Sequence, residues 1–227
     1  MAENTQNDGV EAVGEYALRY VKPGFVIGLG TGRAATAFIK ALGKSGIRVR
    51  GVPTSVASEN LARELGIEIV SLDGSRPIDV TLDGADEVGP KLNMIKGWGG
   101  ALVREKIVAA ASRRRIMLVG ADKIVKRLGE RGKLPVEVVP FALPFCSRQI
   151  AKLGLKPNVR KREDGSEFIT DNGNLILDCA TKPISKPAEL ERDLRAIPGV
   201  VGTGLFLAMA DIVLVGESGG KVRVLKR

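Results

Sequence analysis

Residues 25–43 read FVIGLGTGRAATAFIKALG, and this stretch decides the fold. Phe25, Val26, Ile27 and Leu29 form a short apolar run, as expected of a strand buried on both faces. Glycines cluster where the run ends, at Gly28, Gly30 and Gly32. Beyond them Ala35, Phe38, Ile39 and Leu42 recur at helical spacing, which predicts a helix closed by Gly43. Strand, glycine turn and helix make a βα unit of a parallel sheet.

The same pattern continues on both sides. Val10, Val13, Ala17, Leu18 and Val21 are spaced as on a helix that Pro23-Gly24 breaks. Downstream, strand-like IRVRGV (47–52) leads through Pro53-Thr54-Ser55 into the helical VASENLARELG (56–66). Strand-like IEIV and PIDVTLDGAD follow, then a glycine turn, the helical ALVREKIVAAAS and the strand-like RIMLVG. This alternation predicts an α/β protein with a doubly wound, mostly parallel sheet. After about residue 130 the rhythm changes. LPVEVVP, PNVRKRE, SEFITDNG and NLILDCA read as strands, with turn signals at Asp164-Gly165 and Asn172-Gly173 and helices near 143–153 and 187–196. The expected organisation is an α/β catalytic domain over 1–130 and 205–227, with a smaller α+β domain inserted over 131–204. The tail ADIVLVGESGGKVRVLKR is expected to rejoin the first sheet.

Composition removes whole classes of chemistry. The chain has no histidine. Ser-His-Asp and Cys-His mechanisms, histidine metal sites and a histidine base are therefore excluded. Cys146 and Cys179 make no zinc-ligand spacing and read as reduced thiols. A net charge of +9 raises nucleic-acid binding, but the one tight basic run, Arg113-Arg114-Arg115, lacks aromatic companions for base stacking. Neither nucleic acid nor a membrane is an expected partner. The polar start, MAENTQNDGVEA, is no signal peptide, and the expected compartment is the cytoplasm.

Three motifs carry candidate chemistry. The first is the glycine turn of 28–34, where backbone N–H groups and a helix dipole can hold a phosphate. A plain tight turn, a nucleotide site and a sugar-phosphate site are its three readings. Gly30 to Ala35 formally fits GxGxxA, but the next strand runs into Pro-Thr-Ser and not into the acid a dinucleotide ribose needs. The second is DVTLDGADEV, with Asp83 and Asp86 flanking Gly84-Ala85 where a strand leaves the sheet. These carboxylates can accept sugar hydroxyls, handle protons, hold a divalent metal or cap the turn. The third is KGWGGALVREK (96–106), with Lys96 before the glycines and Glu105 on the helix beyond. Its plainest reading pairs Glu105 with Arg104 or Lys106 on a solvated face.

Taken together, GLGTG, DGADE, KGxGxALxREKI, LPVEVVP, TDNGNLILD and IPGVVGTGLF make the chain resemble the ribose-5-phosphate isomerase type A family over nearly its whole length. The resemblance implies metal-independent interconversion of ribose 5-phosphate and ribulose 5-phosphate, with no cofactor, by a homodimer or homotetramer. It implies Glu105 as proton acceptor, with Asp83, Asp86 and Lys96 on the sugar. It also implies that Thr31, Gly32, Arg33 and Ala34, the turn Gly84-Ala85, the loop Gly97-Trp98-Gly99 and Lys123 contact substrate. Arg33-Ala34 stand where the family often has Ser-Thr, Val103 where Thr is common, and Trp98 interrupts the glycine run. A carboxylate base raised toward neutrality by burial would suit proton transfer through an enediolate, with Lys96 facing the developing charge and the aspartates moving hydroxyl protons. A non-catalytic sugar-phosphate sensor is the competing class.

Overall fold

The computed structural model describes residues 2–74 and 76–227. In chain order, α1 (Ala2–Ala17) precedes β1 (Val26–Leu29), α2 (Arg33–Ser45), β2 (Arg50–Pro53), α3 (Val56–Glu64), β3 (Glu68–Ile69), β4 (Val80–Gly84), β5 (Glu87–Val88) and β6 (Met94–Ile95). Then come α4 (Leu102–Ala110), β7 (Arg115–Gly120), β8 (Lys133–Val138), α5 (Leu143–Lys152), β9 (Lys156–Val159) and β10 (Leu175–Ala180). The chain ends with α6 (Pro187–Arg195), β11 (Val200–Thr203), β12 (Leu205–Phe206), β13 (Ile212–Gly216) and β14 (Val222–Lys226). Among the described residues no helix is long and apolar enough to cross a membrane.

Two compact units emerge. The first takes the chain up to Ala85, Arg104–Ile124 and Ala208–Arg227; the second takes Asp86–Val103 and Val125–Leu207. The stretch Asp86–Val103, expected with the large sheet, groups with the second unit. The reason is pairing: β5 and β6 lie antiparallel to each other and β6 to β12, so they do not extend the ladder that β4 belongs to.

The first unit is built on a seven-stranded sheet in the order β3-β2-β1-β4-β7-β13-β14. All of its pairings are parallel except β13–β14. This is the doubly wound, mostly parallel α/β sheet expected from the opening stretch. The central strands β1 and β13 are buried along their whole length, as near-continuous aliphatic runs permit. Helix α2 presents Ala35, Phe38, Ile39 and Leu42 to the core, with Leu29, Leu82, Ile116, Leu118 and Leu214. It does not stop at Gly43, as expected. It runs to Ser45 and closes at a left-handed Gly46, while Gly43 packs against Leu65.

The second unit holds an antiparallel sheet in the order β11-β8-β10-β9 and the short three-stranded sheet β12-β6-β5. Alternate residues of β8, Leu134, Val136 and Val138, join a core with Cys146, Ile150, Leu177, Cys179 and Leu194. SEFITDNG forms no strand. Its bridge pairings among the described residues are the isolated ones Lys161–Glu167 and Ile169–Leu175. Asp164 explains the irregular entry, because its carboxylate accepts both the N–H and the hydroxyl of Ser166 and so curls the chain locally.

One ion pair ties neighbouring strands at the base of the first sheet. Asp211, just before β13, accepts from the backbone N–H of Arg115 at 2.7 Å and from its Nε and Nη2 at 3.0 and 2.7 Å. Those guanidinium bonds hold the Asp211 carboxyl below the usual aspartate value of 3.8. A depressed folded-state value contributes stability above the unfolded value and loses it as pH falls through the folded one. Asp211→Asn is therefore expected to unfold at lower urea concentration than wild type near neutral pH. The gap between the two should close as pH drops below 3.8, as urea melts followed by circular dichroism would show.

Candidate active site

In the first unit the candidates of residues 31–34 and 83–85 lie at the carboxyl ends of β1 and β4, the place where open α/β sheets bind ligands. Asp83, only 2% exposed, ends the buried part of β4. Its Oδ1 accepts the Thr31 N–H at 3.0 Å and the Gly84 N–H at 2.7 Å. Gly30 is a glycine because the strands approach too closely for anything else: a Cβ there would lie 2.3 Å from Asp83 Oδ1. Beyond Thr31 the chain turns at Gly32 and enters α2, whose first residues are Arg33, exposed, and Ala34, half-buried. That start leaves helix N–H groups and the positive end of the dipole at residues 32–34.

A hydroxyl cluster lies beneath this loop, and sequence reading missed it. Thr31 Oγ1 lies 2.7, 2.8 and 3.2 Å from the hydroxyls of Thr54, Ser55 and Ser58. Ser58 in turn donates to the Gly30 carbonyl at 2.6 Å, and Thr54 to the Leu29 carbonyl at 3.1 Å. Ser55 also caps α3 by accepting the Ser58 N–H. The legible signal was the cap spacing in PTSVAS. Its reach back to Thr31 depends on β1 and β2 being neighbours, which no local pattern reports.

Glu105 stands in the first turn of α4 and is 5% exposed. That overturns the solvated-face reading of REK: Glu105 points inward, and Arg104 and Lys106 are half-buried. Lys123 closes a short 3-10 turn after β7, half-buried, with Nζ 3.6 Å from Asp122.

The second unit carries Asp86 and residues 96–99. Lys96 follows β6, is 2% exposed, donates its N–H to Gly204 and sets Nζ 5.5 Å from the centre of the Phe206 ring. Gly97 has φ +102°, a left-handed conformation that a side chain strains, and a Cβ there would also meet Leu102 at 2.7 Å. Asp86 accepts the Trp98 N–H at 2.9 Å. Trp98 is half-buried, with Lys133 Nζ 4.8 Å and Arg131 Cζ 5.4 Å from its ring centre and its Nε1 on the Lys133 carbonyl. Both aspartates thus accept backbone N–H groups, Asp83 from Thr31 and Gly84 and Asp86 from Trp98, with Asp83 kept from bulk water.

The model of the family described as ribose 5-phosphate isomerase A (phosphoriboisomerase A) matches residues 50–220. The chain belongs to the ribose 5-phosphate isomerase A family. It is 48% identical over 215 residues to the ribose-5-phosphate isomerase A of Roseiflexus sp. (strain RS-1), covering 92% of each chain. The solved ribose 5-phosphate isomerase A of Methanocaldococcus jannaschii is 40% identical and superposes with a TM-score of 0.91, over 97% of this chain and 99% of that one. A D-ribose-5-phosphate isomerase solved in complex with phospho-erythronic acid is also 40% identical, with a TM-score of 0.92 over 96% and 98% of the two chains. As a member of the ribose 5-phosphate isomerase A family, the chain shares its fold with these solved relatives over nearly its full length.

Thiols are poorly placed for chemistry. Cys146 and Cys179 are both fully buried, and burial raises the Cys146 thiol and pushes Cys179 up to about 12. A neutral, enclosed thiol is a poor nucleophile. Neither cysteine is expected to react with Ellman's reagent in the native protein, while two equivalents react in urea. Rapid labelling of the native state would contradict this placement.

Proposed function

We propose that the chain interconverts D-ribose 5-phosphate and D-ribulose 5-phosphate through an enediolate, without a metal, and that Glu105 is the general base. Family membership over nearly the whole chain carries this reading. The burial of Glu105 and Lys96, at 5% and 2% exposure, supports the assignment of roles, because a charged group is excluded from water at a cost that function can explain.

In the open-chain aldose, Glu105 takes the proton from C2. The C–H electron pair becomes the C1–C2 double bond of the enediolate, and the C1 carbonyl pair moves onto O1. Lys96 offsets the charge on the enediolate oxygens. Return of the proton to C1, with the O2 proton passed toward O1, gives the ketose. Asp83 and Asp86 suit that hydroxyl transfer as short carboxylates at a strand end. We assign the phosphate to the Thr31–Ala34 turn with Lys123. There the helix terminus and the exposed Arg33 replace the hydroxyls of the usual Ser-Thr, since guanidinium-phosphate bonds are charge-assisted. Gly84-Ala85 and Gly97-Trp98-Gly99 complete the sugar contacts in this proposal, which also includes a cytoplasmic homodimer or homotetramer. A non-catalytic sensor is not favoured, since it has no use for a buried carboxylate and a buried lysine.

In a coupled assay with ribose 5-phosphate, Glu105→Gln is expected to leave KM within about threefold of wild type and to lower kcat at least about a hundredfold, the usual loss for a positioned base. A variant that keeps near-normal kcat would remove Glu105 from the base role. Among the described residues no group of three or more Asp, Glu, Cys or His is placed to hold a metal. Activity is accordingly expected to survive exhaustive EDTA treatment. Loss of turnover restored by Mg²⁺ would overturn the metal-independent reading.

A further inference from the structure

Loop 97–99 is gripped by an assembly that the chemistry above does not use. Arg160 follows β9 directly, and its side chain is 9% exposed. Its Nε and Nη2 donate to Oδ2 and Oδ1 of Asp178 at 2.9 and 2.6 Å, the two-pronged geometry that fixes a guanidinium plane. The remaining nitrogen, Nη1, donates to the carbonyls of both Gly97 and Trp98, each at 3.0 Å. Asp178 lies also 3.7 Å from Lys133 Nζ, the cation over one side of Trp98. Glu87 accepts the backbone N–H of Arg131, the other cation near that ring, at 2.8 Å.

Peptide planarity gives this grip a consequence. In a trans peptide the N–H points opposite to the preceding C=O. Drawing the Gly97 carbonyl to Arg160 turns the Trp98 N–H the other way, and it is found on Asp86 Oδ2. By the same geometry, drawing the Trp98 carbonyl to Arg160 turns the Gly99 N–H away from Arg160. Two successive N–H groups are then aimed from one fixed backbone, an arrangement suited to oxygen-centred negative charge.

We propose that Arg160, anchored by Asp178, is a positioning residue for the isomerisation: it fixes the carbonyls of Gly97 and Trp98 so that the Trp98 N–H orients Asp86 and the Gly99 N–H faces a sugar oxygen. The inference rests on the proposed role of Asp86 and residues 96–99 in sugar contact. The Trp98 ring, with Arg131 and Lys133 both within cation–π distance, belongs to the same assembly. Lysine cannot replace the arginine, because one ammonium cannot span both Asp178 oxygens and both carbonyls.

The test uses the purified full chain and ribose 5-phosphate. Arg160→Gln is expected to lower kcat at least about tenfold with KM within about threefold, the signature of lost preorganisation rather than lost binding. Trp98 is the only tryptophan, so its emission reads the loop directly and is expected to shift to longer wavelength. Arg160→Lys should behave like Arg160→Gln, and millimolar guanidinium should restore part of both kcat and emission to Arg160→Ala. Asp178→Asn, which keeps the side-chain shape, should move kcat and emission the same way and serves if the Arg160 variants do not fold. A folded Arg160→Gln with wild-type kcat, or with unshifted emission, overturns the proposal. If the wild-type chain shows no isomerase activity, the reading of function falls. The emission shift and its guanidinium rescue then still decide whether Arg160 holds the loop.

Discussion

One carboxylate oxygen, Asp83 Oδ1, accepts the N–H groups of Thr31 and Gly84 and so fastens the loop after β1 to the end of β4. Much of the first unit's candidate site depends on this bond. The two strands are parallel neighbours at the middle of the sheet, so their loops must leave side by side. An acid at that exit would be costly if its oxygens went unsatisfied, by about 1–3 kcal/mol or more for a charged group. The backbone donors of the loop meet that need and, in doing so, set the position of Thr31 and the entry into α2. Gly30 completes the constraint, because any side chain there would displace the carboxylate.

Two other buried carboxylates take neutral donors, Glu87 on both oxygens and Glu137 on Oε1 alone. Glu87, fully buried, accepts the N–H groups of Gly129 and Arg131. Burial raises its pKa, and those two backbone bonds pull the other way. Glu137, also fully buried, takes the Thr170 hydroxyl and the side-chain amides of Asn172 and Asn174 on one oxygen. Oriented dipoles are suitable partners in a low-dielectric interior, since they satisfy a carboxylate without the cost of desolvating a second ion. The two-pronged ion pairs, Arg115–Asp211 and Arg160–Asp178, occur instead at partly exposed positions, where that cost is smaller.

How much of this was legible in the sequence follows from the range of each interaction. The FVIGL strand, its glycine turn and the helix after it were readable, because apolar periodicity and turn chemistry act over a few residues. Gly43 was misread as a stop for the same reason: only the packing of Leu65, 22 positions on, shows why a glycine is tolerated in mid-helix. SEFITDNG has strand composition, yet the local turns at Asp164 and Gly173 leave it with single bridges. The grouping of Asp86–Val103 with the second unit was hidden because it rests on β6 pairing with β12, more than a hundred residues away. Among the candidate residues, acids and lysine at strand ends were visible, while Ser58, Arg160 and Asp178, which bond to candidate loops or to each other, were not. Their partners lie 27, 62 or 63, and 18 positions away.

The same distance explains how a glycine-rich loop can be held in one conformation. Fixing a backbone residue costs about 1–2 kcal/mol, and glycine is the most expensive to fix. The three glycines at 97, 99 and 100 therefore ask for roughly 3–6 kcal/mol or more. Hydrogen bonds to charged groups contribute about 1.5–3 kcal/mol each. The two from Arg160 and the one to Asp86 supply an offset of that same order. Phe168 closes the turn sterically, lying where a Cβ on Gly100 would go, with Arg160 over its ring at 5.6 Å. Glycine is thus required at 97 and 100 by positive φ angles and close contacts, and the rigidity that glycine forfeits is returned by residues from β8, β10 and the segment after β9. The inserted second unit then has a task beyond carrying its own core: it holds the loop that follows Lys96.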